Sequence, residues 1–309
     1  MNSSRANVTF LISNSNMGSN ITVHWPSTQT VTIWYVVTCA ISLAGFLPMA
    51  LLIVTVLLDP QLRAGPGILI LNSLCVELLM SCIDYPILNY VTYRAYFKDP
   101  FELDCRTLFS MQALFNPVAY WSSALLAFNR LIAVVFPTHY DKFSTLPVVV
   151  LQVAVTWIIA TSVFVTGVTG LNAIAGRLTN GECGILKYVR PNMVTFGFVY
   201  GYVVPVMFPA FAYGAVFVKL ACFAPIRVNS ANPTPTETRR QRRRIHMTQM
   251  LCSSYVLSLV TFIPSPVVYS LFSNVVIQER LLALLLRTVM LLGQSCDPVC
   301  RLKATFAFH

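Results

Sequence analysis

The chain has 309 residues, of which 56% are apolar and 10% are charged, and it carries a net charge of +10. An average soluble domain has roughly 25% charged residues. A soluble fold of this size could not cover so much apolar surface, because a large part of its exterior must face water. The composition therefore excludes an ordinary soluble protein and indicates an integral membrane protein.

Seven segments are long and apolar enough to cross a bilayer, which takes about 20 predominantly apolar residues as a helix. Open sheet edges do not persist in lipid, so we expect each segment to be helical. The short connections leave no room for a second domain. The sequence predicts an all-α membrane protein, a bundle of seven transmembrane helices at approximately 33–58, 67–91, 107–136, 146–171, 193–221, 245–273 and 281–302.

The amino-terminal segment is polar and carries three glycosylation sequons, at Asn2, Asn7 and Asn20. It has no apolar core of a cleavable signal peptide, so we expect the first span to act as the insertion signal. We predict an extracellular glycosylated tail at 1–32, the seven-helix domain at 33–302 and a short cytoplasmic tail at 303–309.

Basic residues cluster between the fifth and sixth segments, in the run from Arg239 to Arg244. The positive-inside rule then places the amino terminus outside the cell. The run is explained by topology and contact with lipid headgroups, and involvement in coupling to a transducer is compatible with that. This placement argues against a nucleic-acid partner for the excess positive charge.

Two of the nine cysteines fall on the outer side, Cys105 at the start of the third segment and Cys183 after the fourth. Because that compartment is oxidising, we predict a disulfide between them. No cysteine or histidine spacing indicates a metal site, and we expect no cofactor.

Enzyme signatures are missing: the sequence contains no HExxH, GxSxG or phosphate-loop motif. A two-acid intramembrane protease is a formal alternative, since Glu77 and Asp84 lie in the second segment and Asp297 in the seventh, but none of these acids has a GxGD-like setting. A transporter would show an internal repeat. Ionisable residues inside a span are costly and therefore indicate a functional site. Arg130 would also serve as an interfacial anchor, and Arg287 could snorkel outward or face a cavity.

Motifs along nearly the whole chain resemble those of rhodopsin-like G-protein-coupled receptors. Asn129-Arg130 with Pro137 resembles the Asp-Arg-Tyr box, and Cys105 lies 25 residues before Arg130. The other matching positions are Trp157, Pro205 with Tyr213, Phe262-Ile263-Pro264 and Asp297-Pro298. Within the superfamily, the stretch 136–144 is similar to nematode chemosensory receptors of serpentine classes V, X and G.

The resemblance implies a plasma-membrane receptor, with a sensory cilium as an implied location, that binds an extracellular small molecule or peptide and activates a heterotrimeric G protein. Gln112 stands where amine receptors carry an aspartate and Leu291 where opsins carry the retinal lysine. The implied ligand pocket consists of Gln112, Asn116, Tyr202, Phe262, Pro266, Tyr269 and Arg287, and the implied coupling residues are Asn129, Arg130, Pro137, Tyr213 and Arg244.

Departures from the family pattern bear on activation. Asn129 replaces the acid beside the arginine and Arg244 stands where a sixth-helix acid often lies, which predicts a weak inactive-state lock and basal signalling. Arg301 replaces the tyrosine of the seventh-helix motif. Glu77, Asp297 and Arg301 would form a charge network, the two acids would hold a cation, or they would not meet. The alternative function is a seven-helix scaffold, decoy or trafficking partner that does not couple.

Overall fold

The computed structural model describes ten stretches of the chain and three short pieces of the sixth span. These are residues 8–10, 21–23, 26–58, 67–97, 104–168, 173–177, 183–228, 263–272, 275–276 and 279–306, with 252–253, 255–257 and 259–261. The sequons at Asn2, Asn7 and Asn20 lie outside the described residues.

Long helices succeed one another along the chain. The first span is Thr28–Leu58 and the third is Cys105–Val135. The second span, Gly67–Tyr96, and the fifth, Pro191–Phe198 followed by Val204–Val228, each contain a short π-helical turn. The fourth span is Leu146–Val168, the sixth ends with Pro264–Leu271, and the seventh is Arg280–Phe306. The seventh helix thus continues four residues beyond the expected boundary at 302.

Four of the described helices are long and apolar enough to cross a membrane: Thr28–Leu58, Gly67–Tyr96, Cys105–Val135 and Thr195–Lys219. A fifth is counted if the fourth span is taken with the short helix Pro137–Phe143, from which it is bent by 76°. The seventh helix is more polar, because it carries Arg280, Arg287, Asp297 and Arg301. Charged residues of this kind are tolerated in a span where they face the bundle interior.

The outward surface of the first span is apolar. Leu43, Leu47 and Leu51, four residues apart and therefore on one side of the helix, are 67%, 62% and 59% exposed. A row of exposed leucines is unfavourable in water and favourable against lipid chains. The interior of the bundle is closed by a central cluster of Val76, Met80, Tyr85, Val118, Ala160 and Leu291.

Both π-helical turns lie next to prolines. In the second span the turn Met80–Asp84 precedes Pro86, and the amide of Tyr85 donates to the carbonyl of Met80 five residues back. In the fifth span the turn Val199–Val203 precedes Pro205. A proline lacks the amide that would continue the regular α-helical ladder, so the helix relaxes locally. Each π turn changes the direction in which the following side chains point.

Two glycines allow the seventh span to pack closely on its neighbours. A Cβ on Gly45 of the first span would lie 2.7 Å from the Ser295 hydroxyl oxygen. A Cβ on Gly293 would overlap the side chain of Thr261 in the sixth span. Small residues at such contacts let membrane helices approach closely. The seventh span is therefore held tightly between the first and the sixth.

Two short antiparallel hairpins, which the sequence did not predict, accompany the helices. Val8–Phe10 pairs with Ile21–Val23, and Ala173–Arg177 pairs with Cys183–Tyr188. Cys183, at the start of its strand, forms a disulfide with Cys105, the first residue of the third span. The predicted disulfide is present, and it fixes the second hairpin to the outer end of the third span.

Candidate functional site

A polar contact joins the second, third and fourth spans inside the bundle. The Asn72 side-chain amide donates to the Ser122 hydroxyl at 2.8 Å, and the Trp157 indole N–H donates to the Asn72 side-chain oxygen at 3.0 Å. Trp157 is the tryptophan that the sequence singled out in the fourth span. One asparagine thus sets the position of three helices relative to one another.

Arg287 of the seventh span lies against the second span in the outer half of the bundle. Its Nη1 donates a hydrogen bond to the Thr92 hydroxyl, and Thr92 is buried. Asp84, two helical turns deeper on the second span, is 1% exposed. Its carboxylate interacts electrostatically with the Arg287 guanidinium. Among the described residues no ion pair within 4.0 Å joins the two side chains.

The implied pocket residues of the third and fifth spans are half-buried. Gln112 and Asn116 lie on the third span, and Tyr202 lies within the π turn of the fifth. The Tyr202 ring meets Tyr120 edge-on, with 5.0 Å between centroids, and stacks on Phe198 at 5.4 Å. This aromatic group closes the interface between the third and fifth spans. Phe262 lies outside the described residues, as do the side chains of Pro266 and Tyr269.

Glu77 occupies the middle of the second span. Its Oε1 accepts a hydrogen bond from the Ser73 hydroxyl one turn away, at 2.9 Å, and its Oε2 is buried. The side chains of Asp297 and Arg301, its predicted partners, are outside the described part of the chain. The charge network around Glu77 therefore stays a prediction.

At the inner end of the third span, Arg130 lies near the phenols of Tyr140 and Tyr213. Its Nε is buried, and the part of the chain that the structure describes offers it no acid within 4.0 Å. Asn129 is buried and Pro137 begins the short Pro137–Phe143 helix that carries Tyr140. Arg244 falls outside the described residues. The arrangement presents a cationic side chain near two phenols at the cytoplasmic end.

Two further contacts tie the inner ends of the spans together. The Lys219 ammonium of the fifth span donates to the Val135 carbonyl at 2.7 Å, which satisfies an orphan carbonyl at the end of the third span. The Tyr255 hydroxyl of the sixth span donates to the Val206 carbonyl of the fifth. Tyr213, buried between the third and fifth spans, contacts the Tyr255 ring.

Sequence reasoning did not find several of these residues. Asn89 and Thr92 lie three apart on one face of the second span, and this spacing is the signal in the sequence that could have marked a polar face. Lys219 and Tyr255 act through backbone carbonyls of other helices, and no sequence pattern reveals such a partner. Among the described residues, no group of three histidine, cysteine or acidic side chains is arranged to hold a metal ion.

Several known proteins are similar to this chain. A green-sensitive opsin from Gallus gallus is 25% identical over 193 residues, covering 60% of this chain and 54% of the opsin. A rhodopsin from Chelon labrosus is 25% identical over 228 residues, covering 72% of this chain and 62% of the relative. A rhodopsin from Cottocomephorus inermis is 23% identical over 220 residues, covering 69% of this chain and 73% of the relative. The chain thus spans somewhat over half the length of the first two relatives.

The family model for seven-transmembrane receptors of the rhodopsin family matches residues 49–299. That range runs from the middle of the first span to the end of the seventh-helix motif Asp297-Pro298. It includes the disulfide, the Asn72 contact and the Arg130 site described above. The chain therefore belongs to the rhodopsin family of G-protein-coupled receptors, which are multi-pass membrane proteins that transduce signals rather than catalyse reactions.

Proposed function

We propose that this receptor binds an extracellular ligand, a chemosensory cue, and activates a heterotrimeric G protein at the plasma membrane. The observation that carries the proposal is the position of Arg130, at the inner end of the third span beside Tyr213 and the Pro137–Phe143 helix. A cation that no acid of the described residues holds is available to a G protein once the cytoplasmic side opens. The nematode-type motif at 136–144 supports the chemosensory assignment and, with it, a ciliary location.

The ligand would enter between the spans from outside. Gln112, Asn116, Tyr202, Phe262, Pro266, Tyr269 and Arg287 are its proposed contacts. Leu291, which is 2% exposed in the central cluster, has no amine and cannot form a Schiff base. The green-sensitive opsin and the two rhodopsins are therefore relatives in family, and we propose a ligand that binds without a covalent bond.

Activation would shift an equilibrium between two arrangements of the spans rather than create a new one. The sixth span would swing outward about Pro264 and open a cleft beside Arg130. The ligand can favour the open arrangement only by its higher affinity for it. Because the described residues hold no acid against Arg130, we expect the closed arrangement to be weakly locked.

The test is a G-protein activation assay in cell membranes without ligand, at matched surface levels, comparing the wild type with Arg130→Ala. Arg190→Ala, at an exposed position on the outer side, is the matched control for the substitution. We expect basal activity in the wild type and the control, and its loss in Arg130→Ala. Equal signals in all three would overturn the proposal.

One sequence feature favours the alternative of a non-coupling scaffold, decoy or trafficking partner. Arg301 stands where the family has the tyrosine that supports the active state. A receptor that reaches the cell surface but activates no G protein, with or without a ligand shown to bind it, would identify this second function.

A further inference from the structure

In the outer half of the bundle the second span carries an acidic residue, Asp84, and the seventh span carries a basic one, Arg287. The two side chains are close, but among the described residues they form no ion pair. Asp84 is 1% exposed, and one of its carboxylate oxygens is buried with no hydrogen-bond partner among them. Arg287 is half-buried and its Nη1 is bound to Thr92 rather than to Asp84. A carboxylate oxygen that is buried without a hydrogen-bond partner is unfavourable, because its lost hydration is not replaced. Such a group in a membrane span indicates a binding function.

The backbone of the second span is built to place Asp84 inside. Asp84 is the last residue of the π-helical turn Met80–Asp84, and Pro86 lies two residues later. A π turn inserts an extra residue into the helix and rotates the next turns about the axis, and such turns are frequent at functional sites. Beyond the turn, two further polar residues of the second span, Asn89 and Thr92, are buried.

Asn89 lies between Asp84 and Thr92 along the axis of the second span. It is 0% exposed, and neither its amide nitrogen nor its carbonyl oxygen has a partner within the described stretches. It is five residues from Asp84 and three from Thr92, where Arg287 is held. The second span therefore presents, from inside to outside, an anion, a group that both donates and accepts, and a cation bound from the seventh span.

We propose that Asp84, Asn89, Thr92 and Arg287 line a cleft that opens when the outer ends of the second and seventh spans separate, and that this cleft binds a small zwitterion of the amino-acid type, with its ammonium on Asp84 and its carboxylate on Arg287. The proposal rests on the receptor function proposed above and names the chemical class of its ligand. It also places the counter-ion for an ammonium on the second span, since Gln112 cannot provide one on the third.

The two charges favour a zwitterion over a ligand that carries a single charge. A ligand with a carboxylate alone would be attracted by Arg287 and repelled by Asp84, and a ligand with an ammonium alone would meet the reverse. A zwitterion pairs both, and its carboxylate can accept two parallel hydrogen bonds from the guanidinium. Its polar atoms would also reach the donor and acceptor of the Asn89 side chain.

The spacing agrees with a ligand of a few carbons. The two charged groups are more than 4.0 Å apart, so an intervening molecule is needed to bridge them. Thr92, which holds Arg287, lies eight residues from Asp84, about 12 Å along the helix axis. A carboxylate and an ammonium on one short carbon chain, with a hydrogen bond at each end, match a separation of this order.

Binding of this kind would be linked to helix movement. Because Asp84 and Asn89 are covered, a ligand can reach them only when the outer ends of the second and seventh spans separate. A zwitterion therefore has higher affinity for the separated arrangement and shifts the equilibrium toward it. Close packing of Gly293 on Thr261 connects the seventh span to the sixth, which is the span that must move.

The experiment measures binding on the full-length receptor, purified into lipid nanodiscs without G protein, as a rise in its unfolding temperature. The probes are the twenty L-α-amino acids, β-alanine and γ-aminobutyric acid, each tested alone. For every probe that stabilises the receptor, the N-acetyl derivative and the methyl ester are tested beside it. We expect at least one probe to stabilise the receptor, and both of its derivatives, each lacking one charge, to fail.

Variants then assign the two charges. Arg287→Gln and Asp84→Asn should each weaken the stabilising probe by about tenfold or more, the effect of about 1.4 kcal/mol. Arg190→Gln and Asp141→Asn, the same substitutions at exposed positions away from the cleft, should leave its affinity unchanged. If either cleft variant does not fold, the comparison of each probe with its N-acetyl derivative and methyl ester on the wild type still tests whether both charges are needed.

The proposal is overturned if no probe stabilises the wild type, or if a derivative that lacks one charge binds as well as its parent. It is equally overturned if both cleft variants fold and retain wild-type affinity. Binding that depends on both charges, in a receptor that activates no G protein, would support the zwitterion site and contradict the coupling function. G-protein activation without binding of any probe would support the coupling function and contradict the zwitterion site.

Discussion

The Tyr255 hydroxyl of the sixth span donates a hydrogen bond to the backbone carbonyl of Val206 in the fifth span. The Tyr255 ring also packs on Tyr213, with 5.5 Å between ring centroids. Both contacts lie on the cytoplasmic side of Pro264, in the part of the sixth span that moves in the proposed activation. They therefore favour the closed arrangement.

Tyr255→Phe keeps the ring contact and removes the hydrogen bond. A hydrogen bond of this kind contributes about 0.5–1.5 kcal/mol, and every 1.4 kcal/mol is tenfold in an equilibrium. We expect ligand-free G-protein activation to rise about threefold or more at matched surface expression. Tyr200→Phe is the control, since Tyr200 is exposed and its ring stacks on Phe196. An unchanged basal signal in Tyr255→Phe would show that this bond does not hold the closed arrangement.

Gly293→Ala should destabilise the receptor. The added methyl group would overlap the Thr261 side chain, so the sixth and seventh spans would have to move apart. Overpacking of this kind costs about 1–3 kcal/mol. We expect a lower unfolding temperature for the purified receptor in detergent.

The chain offers a matched control for this substitution. Gly214 lies in the fifth span, and a Cβ there would meet nothing within 4 Å. Gly214→Ala should leave stability unchanged or raise it by about 0.5–1 kcal/mol, because alanine is the better helix former. If Gly293→Ala and Gly214→Ala change the unfolding temperature equally, the close packing of the sixth and seventh spans does not contribute to stability.

Removal of the Cys105–Cys183 disulfide should reduce stability and surface expression. The bond joins residues 78 apart in sequence and fixes the second hairpin to the third span. Loss of a native disulfide typically costs about 2–5 kcal/mol. Cys105→Ser, Cys183→Ser and the double variant should lower the unfolding temperature by the same amount. Cys296→Ser, at an exposed free cysteine, should have no effect. Additive losses from the two single variants would contradict a shared bond.

Asn72→Ala should destabilise the bundle through Trp157 and Ser122 together. It leaves the half-buried Trp157 indole N–H without its acceptor, a loss of about 1–3 kcal/mol. Trp157→Phe removes the same bond from the other side, so the double variant should be less destabilised than the sum of the two singles. The measurement is a double-mutant cycle on unfolding of the purified receptor. A sum that is fully additive would mean that the 3.0 Å bond between Trp157 and Asn72 contributes nothing.

The sequence predicted the features that depend on local pattern. Apolar length identified the spans, and the restriction of Cys105 and Cys183 to one side of the membrane identified the disulfide. The ends of the helices were less predictable: the first span begins at Thr28 rather than 33, because its first turn is made of polar residues that still form helix. Such residues do not register as part of an apolar segment.

The partners of buried polar residues could not be predicted. The π turn at Met80–Asp84 rotates the outer half of the second span, and a regular helix drawn from the sequence would point its side chains differently. Pro86 indicates that the helix is irregular at this point, but a proline alone does not predict a π-helical turn. For this reason the contact of Arg287 with Thr92, and the burial of the Asp84 carboxylate near it, emerged only from the structure.

The proposed activation of a G protein by the surface around Arg130 is best tested in a reconstituted system, where no other cellular component contributes. Wild-type receptor, Arg130→Ala and Arg190→Ala would each be purified into lipid nanodiscs and mixed with a panel of purified heterotrimeric G proteins, and nucleotide exchange would be followed without ligand. We expect faster exchange on at least one heterotrimer with the wild type and Arg190→Ala, and no acceleration with Arg130→Ala. Exchange that is not accelerated by the wild type on any heterotrimer, or that is accelerated equally by Arg130→Ala, would contradict this proposal.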